Sequence, residues 1–421
     1  MKIKTHAFVV LSIFLSAVFL RIFFVFIIHP PEKYIYSDMN AYHGQAVKLA
    51  AGYREDIFDT FHPPGTHYLY SLFLRSPDAF LRIKIFNILA GVLTCLLIFE
   101  NTRLLFNKKA ALVAFIIASF NYLFIDFEGY FLSETPFILG LSALMYCLLK
   151  SIKSANIRQK YFYAFLTGFC VALSASFKAS ILLFVPLFGI WWLINFKKYK
   201  LTANIIFYSL GFLPLLILMM LRVFCLTGQW GGVATCAGEA FYENRVRAGE
   251  ITFYDKERRY HFGFGSPVAF QKKYSFTKHF EVGPYESGYF FKEGIREAKK
   301  DIPKAILYSL ENIWDLFYST VIWPTAAIEG ILPKIIKFFN IIFVYAIIFP
   351  VIILFFFKWR HMTRSLKILP YLVISVAFVQ AFVFVGDPRH RVPYDIFFIM
   401  LAGYLYSTAW ALWVRRAHKI R

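Results

Sequence analysis

Long apolar stretches alternate with short polar ones along most of the chain. A bilayer core of about 30 Å needs roughly 20 apolar residues rising about 1.5 Å each. Stretches 7–28, 83–100, 110–125, 131–149, 161–177, 180–196, 202–226, 338–357, 367–385 and 393–414 meet or approach that length. They predict about ten transmembrane helices in an all-α polytopic membrane protein. Spans 110–125 and 131–149 are parted only by Asp126, Phe127, Glu128, Gly129 and Tyr130, and spans 161–177 and 180–196 by Lys178 and Ala179. Both pairs read as tight helical hairpins. The first apolar stretch is too long for a signal-peptide core and no small-residue cleavage pattern follows it, so it predicts a retained first span.

Two polar segments are too long to be connectors, 29–82 and 227–337. The second holds 15 basic and 13 acidic residues with many Gly and Tyr. Its part 305–323 is apolar and aromatic but carries Glu311, Asn312 and Asp315, which predicts an interfacial helix rather than a span. The chain divides into a transmembrane core 1–226 with a first outer loop 29–82, an outer loop region 227–337, and C-terminal helices 338–421.

Composition agrees with this pattern and excludes other classes. Hydrophobic residues are 59%, charged residues 17% and mean hydropathy is +0.56, which rules out disorder. A net charge of +21 would suit a nucleic-acid binder, but the hydropathy does not. Topology explains the charge. Segments 1–6, 101–109, 150–160, 197–200, 358–367 and 415–421 hold 20 Lys and Arg and no Asp or Glu. The positive-inside rule places them, and both termini, in the cytoplasm. The rest of the chain is nearly neutral. The expected location is an integral membrane one, with polar residues gathered on the non-cytoplasmic face. Arg21 and Arg222, near outer span ends, read as snorkelling side chains. The five cysteines show no metal-ligand spacing. Cys225 and Cys236 both fall near the outer face, which leaves a disulfide between them open.

Four clusters carry candidate chemistry, all on the predicted outer face. Ser37-Asp38-Met39-Asn40-Ala41-Tyr42-His43 offers a carboxylate able to accept a proton from a hydroxyl. The same residues also read as a helix N-cap. His62-Pro63-Pro64-Gly65 reads as a rigid turn, and His62 with His67 lacks further ligands for a metal. Asp126 and Glu128 sit at a predicted hairpin tip, and Glu134 lies inside an apolar run, where a carboxylate should face a cavity or a partner. Lys178, Arg389, His390 and Arg391 are cations on the side that the inside bias disfavours. A lipid phosphate at headgroup level would suit them, and so would snorkelling.

In order and sidedness these motifs resemble the GT-C superfamily of polytopic glycosyltransferases, and more closely the family-39 branch of protein O-mannosyltransferases and lipid A aminoarabinose transferases. Asp38 with Tyr42, Ala46 and Gly52 resembles the acidic motif of the first outer loop, and His62-Pro63-Pro64-Gly65 its following proline pair. Ser133-Glu134-Thr135-Pro136 resembles the acidic start of the fourth span. Phe177-Lys178-Ala179 resembles a Thr-Lys motif with Phe for Thr. Arg389-His390-Arg391-Val392-Pro393 resembles an Arg-Tyr-x-x-Pro motif with His for Tyr and altered spacing.

The resemblance implies a polyprenyl-phosphate sugar as donor, inversion at the anomeric carbon, and transfer to a hydroxyl of a lipid, polysaccharide or protein acceptor. It implies Asp38 as catalytic base. Glu128, Glu134, Asp126, Tyr42 and His62 would position acceptor or sugar, and Lys178, Arg389 and Arg391 would bind the donor phosphate. No resident metal site is assigned, although some relatives use a divalent ion. Two other classes stay open. A transporter or lipid-linked glycan flippase would be expected to show symmetric halves, which are not seen. An O-antigen-type polymerase would place an Arg-rich site in a large outer loop, where Arg245, Arg247, Arg258 and Arg259 lie.

Overall fold

The computed structural model describes residues 2–183, 185–186, 201–255, 260–265, 275–318, 322–358, 375, 379–383 and 386–420. Among these, seven helices are long and apolar enough to cross a membrane. A pair bent by 50°, Lys108–Ser119 and Tyr122–Glu128, makes an eighth if counted as one span. Most of the expected spans 180–196 and 367–385 lies outside the described residues.

The transmembrane helices are α1 (Lys2–Phe23, prolonged by a wide turn to Ile28), α4 (Ala79–Leu105), α5 (Lys108–Ser119), α6 (Tyr122–Glu128), α7 (Glu134–Lys153), α8 (Ile157–Phe177), α9 (Leu201–Thr227), α13 (Leu332–Phe343), α14 (Phe349–Lys358) and α16 (Asp395–Ile420). The first outer loop folds into α2 (Asp38–Ala50) and α3 (Gly65–Leu74). Gly65 starts α3 against the end of α8. A Cβ there would lie 2.7 Å from the Ser176 carbonyl oxygen, so only glycine lets the loop press onto the bundle beside Lys178.

The expected hairpin between α5 and α7 is corrected. Asn121 accepts hydrogen bonds from Leu123 and Phe124 amides and starts a new helix, α6, at an angle to α5. Asp126 and Glu128 therefore lie inside the bundle rather than at a solvated tip, and both are buried. The snorkelling expected of two arginines is also corrected. Arg21 is fully buried and donates from Nε to Glu128 at 2.9 Å and from NH1 to the Ser119 carbonyl at 2.9 Å. Arg222 holds Glu55, with Nε donating to Oε2 at 2.8 Å, and the Asp59 carbonyl at 2.6 Å. A buried guanidinium needs such partners because an unpaired one would not tolerate the loss of water.

The outer region packs around α10 (Cys236–Val246) and α11 (Ser287–Lys300). A three-stranded sheet, order β2-β1-β3, joins them: β1 (Glu250–Asp255) runs antiparallel to β2 (Tyr260–Gly265) and parallel to β3 (Thr277–Phe280). Tyr242, Ile251, Phe253 and Phe290 form its core. Two backbone bonds strap this region to the first loop beside His62, from the Thr235 amide to the Thr60 carbonyl at 3.0 Å and from Cys236 to Phe61 at 3.1 Å. The disulfide left open by the sequence is not formed: Cys225 and Cys236 are both free.

The helix expected over 305–323 is observed as α12 (Ile302–Tyr318). It buries Ser309 and Asn312 and exposes Ile306, Leu307, Leu310 and Trp314. Polar side inward and apolar side outward is the pattern of a helix that meets lipid.

Candidate active site

Asp38 opens α2, but neither it nor Ser37 caps the helix. Ser37 sits at φ 50 and makes no side-chain cap bond. The Asp38 carboxylate accepts instead from Arg389 NH1 at 2.9 Å. Tyr42, one turn on and on the same face, is buried, and its ring lies 4.6 Å from that of His62. Burial, partly opposed by the Asp38 charge, takes His62 down to about 4. The ring is therefore neutral at ordinary pH, and its buried Nε2 has no hydrogen-bond partner.

Glu134 begins α7, Lys178 follows α8, and Arg389 lies in the short turn α15 (Pro388–Arg391) ahead of α16. Three helix ends thus bring one carboxylate and two cations together. Lys178 Nζ meets Glu134 Oε1 at 2.9 Å, and Arg389 Nε donates to the same oxygen. Arg389 bridges Glu134 and Asp38 through separate nitrogens. Glu134 is fully buried, Lys178 and Arg389 keep 14% and 12% of their side-chain surface, and Asp38 keeps 29%. The buried carboxylate holds the cations, and the carboxylate left for an incoming group is Asp38.

Sequence reasoning missed the support behind Arg389. The guanidinium lies 3.9 Å above the Trp323 ring. Asp387 accepts from the Arg389 amide at 2.7 Å and from the Trp323 amide at 3.2 Å. Thr325 then donates to Asp126 at 2.8 Å and pairs with the Tyr130 hydroxyl at 2.9 Å. Tyr36 donates to the Pro324 carbonyl at 2.7 Å. The run Trp323-Pro324-Thr325 is the one signal in the sequence that could have pointed to this segment.

Of the expected site residues, Asp38, Tyr42, His62, Glu134, Lys178 and Arg389 converge. Asp126 does not join them directly; it anchors the Thr325 segment behind Arg389. Glu128 is occupied by Arg21. Arg391 is corrected as a phosphate ligand. It is fully buried, and it bonds Asp395 at 3.0 Å, Asn340 at 2.8 Å and the Leu316 carbonyl at 3.2 Å. His67 bonds Glu55 at 3.1 Å. Arg245 and Arg247 tie α10 to α12, through Ser309 at 3.1 Å and Asn312 at 2.9 Å respectively. Arg258 and Arg259 lie outside the described residues. No group of three or more His, Cys, Asp or Glu that could hold a metal ion is found among the described residues.

Comparison with known families matches the chain to the model described as dolichyl-phosphate-mannose-protein mannosyltransferase. Over residues 61–223 the chain matches this mannosyltransferase family. The resemblance read from the motifs is borne out over that stretch. His62, Glu134 and Lys178 fall inside the matched region of the mannosyltransferase family; Asp38 and Arg389 fall outside it. No curated protein matches the chain. Among solved structures, the archaeal oligosaccharyltransferase AglB from Archaeoglobus fulgidus, in complex with an inhibitory peptide and a dolichol-phosphate, is 13% identical with a TM-score of 0.55. The match covers 97% of this chain and 51% of that one. The apo form of the Archaeoglobus fulgidus enzyme gives 12% and 0.52, covering 97% and 52%. ArnT from Cupriavidus metallidurans bound to undecaprenyl phosphate gives 12% and 0.43, covering 94% and 77%. The fold is thus shared with the archaeal enzyme, and this chain spans about half the length of that relative.

Proposed function

We propose that the protein is a membrane glycosyltransferase that moves a sugar from a polyprenyl-phosphate-linked donor to a hydroxyl acceptor on the non-cytoplasmic face, with inversion. The observation that carries this reading is the pairing of a partly open carboxylate, Asp38, with two cations held by one buried carboxylate. The family match and the fold shared with a dolichol-phosphate-bound relative support it.

In the reaction, the acceptor oxygen attacks the anomeric carbon as the bond from that carbon to the phosphate oxygen breaks. The hydroxyl proton passes to the Asp38 carboxylate, and polyprenyl phosphate departs. Lys178 and Arg389 face the phosphate as charge builds on it, a point charge beside a planar fork of donors. Glu134 keeps the two cations side by side without repulsion when no phosphate is bound. Neutral His62 and the Tyr42 hydroxyl line the acceptor side. The acceptor is a lipid, polysaccharide or protein hydroxyl.

The test is a panel of radiolabelled polyprenyl-phosphate sugars given to purified protein. Loss of sugar from one donor, with release of polyprenyl phosphate, supports the reading. Inertness toward every donor, together with movement of a lipid-linked glycan across vesicles, overturns it.

A further inference from the structure

A second polar site lies at the opposite end of the bundle. Helices α5 and α16 run antiparallel and touch closely at Gly403, where a Cβ would lie 2.6 Å from the Ala110 carbonyl oxygen. Beyond that contact they part around a cleft of about 450 Å³. Ser407, Thr408 and Ala411 lie on the α16 side, and Lys108, Lys109 and Arg415 supply the charge. Twenty residues of α16 separate Arg415 from Asp395, about 30 Å of helix, so the cleft is a membrane thickness away from Asp38.

Several features point to one kind of occupant. The cleft has the size of a small-ligand site. Three cations line it and no carboxylate does. The nearby Glu100 carboxylate is taken by Arg103 at 2.7 Å. Trp410, Leu412 and Trp413 stand exposed on the same stretch of α16, and the two indoles lie 5.2 Å apart. Tryptophans at this level mark the edge of the hydrocarbon, with the headgroups just beyond. A cationic pocket between helices at that depth is what an anionic headgroup fits.

We propose that this cleft binds one anionic phospholipid of the cytoplasmic leaflet, with the phosphate between Lys108, Lys109 and Arg415, the glycerol ester oxygens accepting from Ser407 and Thr408, and the acyl chains running on from there toward the bilayer centre. The site is separate from the Asp38 cluster and does not depend on the transferase reading.

The test uses the full chain in neutral detergent, titrated with fluorescent phosphatidylglycerol or phosphatidylcholine. The wild type should prefer phosphatidylglycerol by about tenfold or more, as three cations near a headgroup allow. Lys108→Gln/Lys109→Gln/Arg415→Gln should lose the preference. Lys150→Gln/Arg158→Gln/Lys160→Gln removes equal charge from the same end and should keep it. Thr408→Trp fills the cleft without changing charge and should also lose it, which separates binding from any folding defect of the first variant. Equal losses in both charge variants, a preference that survives Thr408→Trp, or displacement of the lipid by millimolar inorganic phosphate would each overturn the proposal.

Discussion

Asp38 and Glu134 are both carboxylates beside Arg389, yet their surroundings assign them different work. Glu134 has no exposed surface and neutralises two cations, whereas Asp38 is the most open member of the group. Asp38→Asn should therefore lower turnover by about 10²–10⁴-fold, the usual worth of a positioned base. The Trp323 ring supports Arg389 through the face of its guanidinium. Trp323→Leu should weaken donor affinity by up to about thirtyfold and Trp323→Phe by less, since a cation over an aromatic face is worth about 0.5–2 kcal/mol. Separate measurement of donor Kd and kcat checks this: equal effects of Leu and Phe would remove the role. At this scale the sequence was legible where a charge interrupts an apolar run, as at Glu134 and Lys178. It was not legible for Arg391, because only two residues, about half a helical turn, separate a cation facing the site from one facing Asp395. Spacing alone cannot say which faces where.

At the level of elements, two ion pairs decide how neighbouring elements meet. Arg21 on α1 and Glu128 on α6 are both buried, so removing one partner strands the other charge. Arg21→Met should destabilise the protein by about 3–5 kcal/mol, while Arg21→Met/Glu128→Met should recover most of that. Thermal unfolding in detergent measures both, and a harmless single variant would mean that the pair is solvated. Glu55 links the first loop to α9. Burial works to raise its carboxyl, but hydrogen bonds from His67 and Arg222 and the Arg222 charge prevail and take it down to about 2. A depressed carboxyl stabilises the folded state above its ordinary value, and that contribution is lost as pH falls from about 4.5 toward 2. The Tm of Glu55→Gln should lie below wild type at pH 7 and converge with it across that window; a constant gap would contradict the pairing. Helix existence was legible from apolar length, because lipid demands it. The break between α5 and α6 was not, because Asn121 caps a new helix within an unbroken apolar run.

For the whole molecule, α7 and α16 start at the Asp38 cluster and run to basic residues at their other ends, and we propose that this basic end is the cytoplasmic one. In a cysteine-free background, Gln229→Cys should react with a membrane-impermeant maleimide added outside cells and Ser154→Cys should not. Reversed labelling would invert the orientation. The convergence of residues 38, 134, 178 and 389 was beyond the sequence, since it depends on packing between helices far apart in the chain. The resemblance implied a shared role for these residues but not which side chains touch. Their joint role is tested most directly by single-turnover kinetics with a bound polyprenyl-phosphate sugar, comparing wild type, Asp38→Asn and Lys178→Ala. Asp38→Asn should bind donor normally and fail to transfer, and Lys178→Ala should bind donor weakly. Normal transfer by Asp38→Asn, or unchanged donor affinity in Lys178→Ala, would contradict the assignment of base and phosphate site.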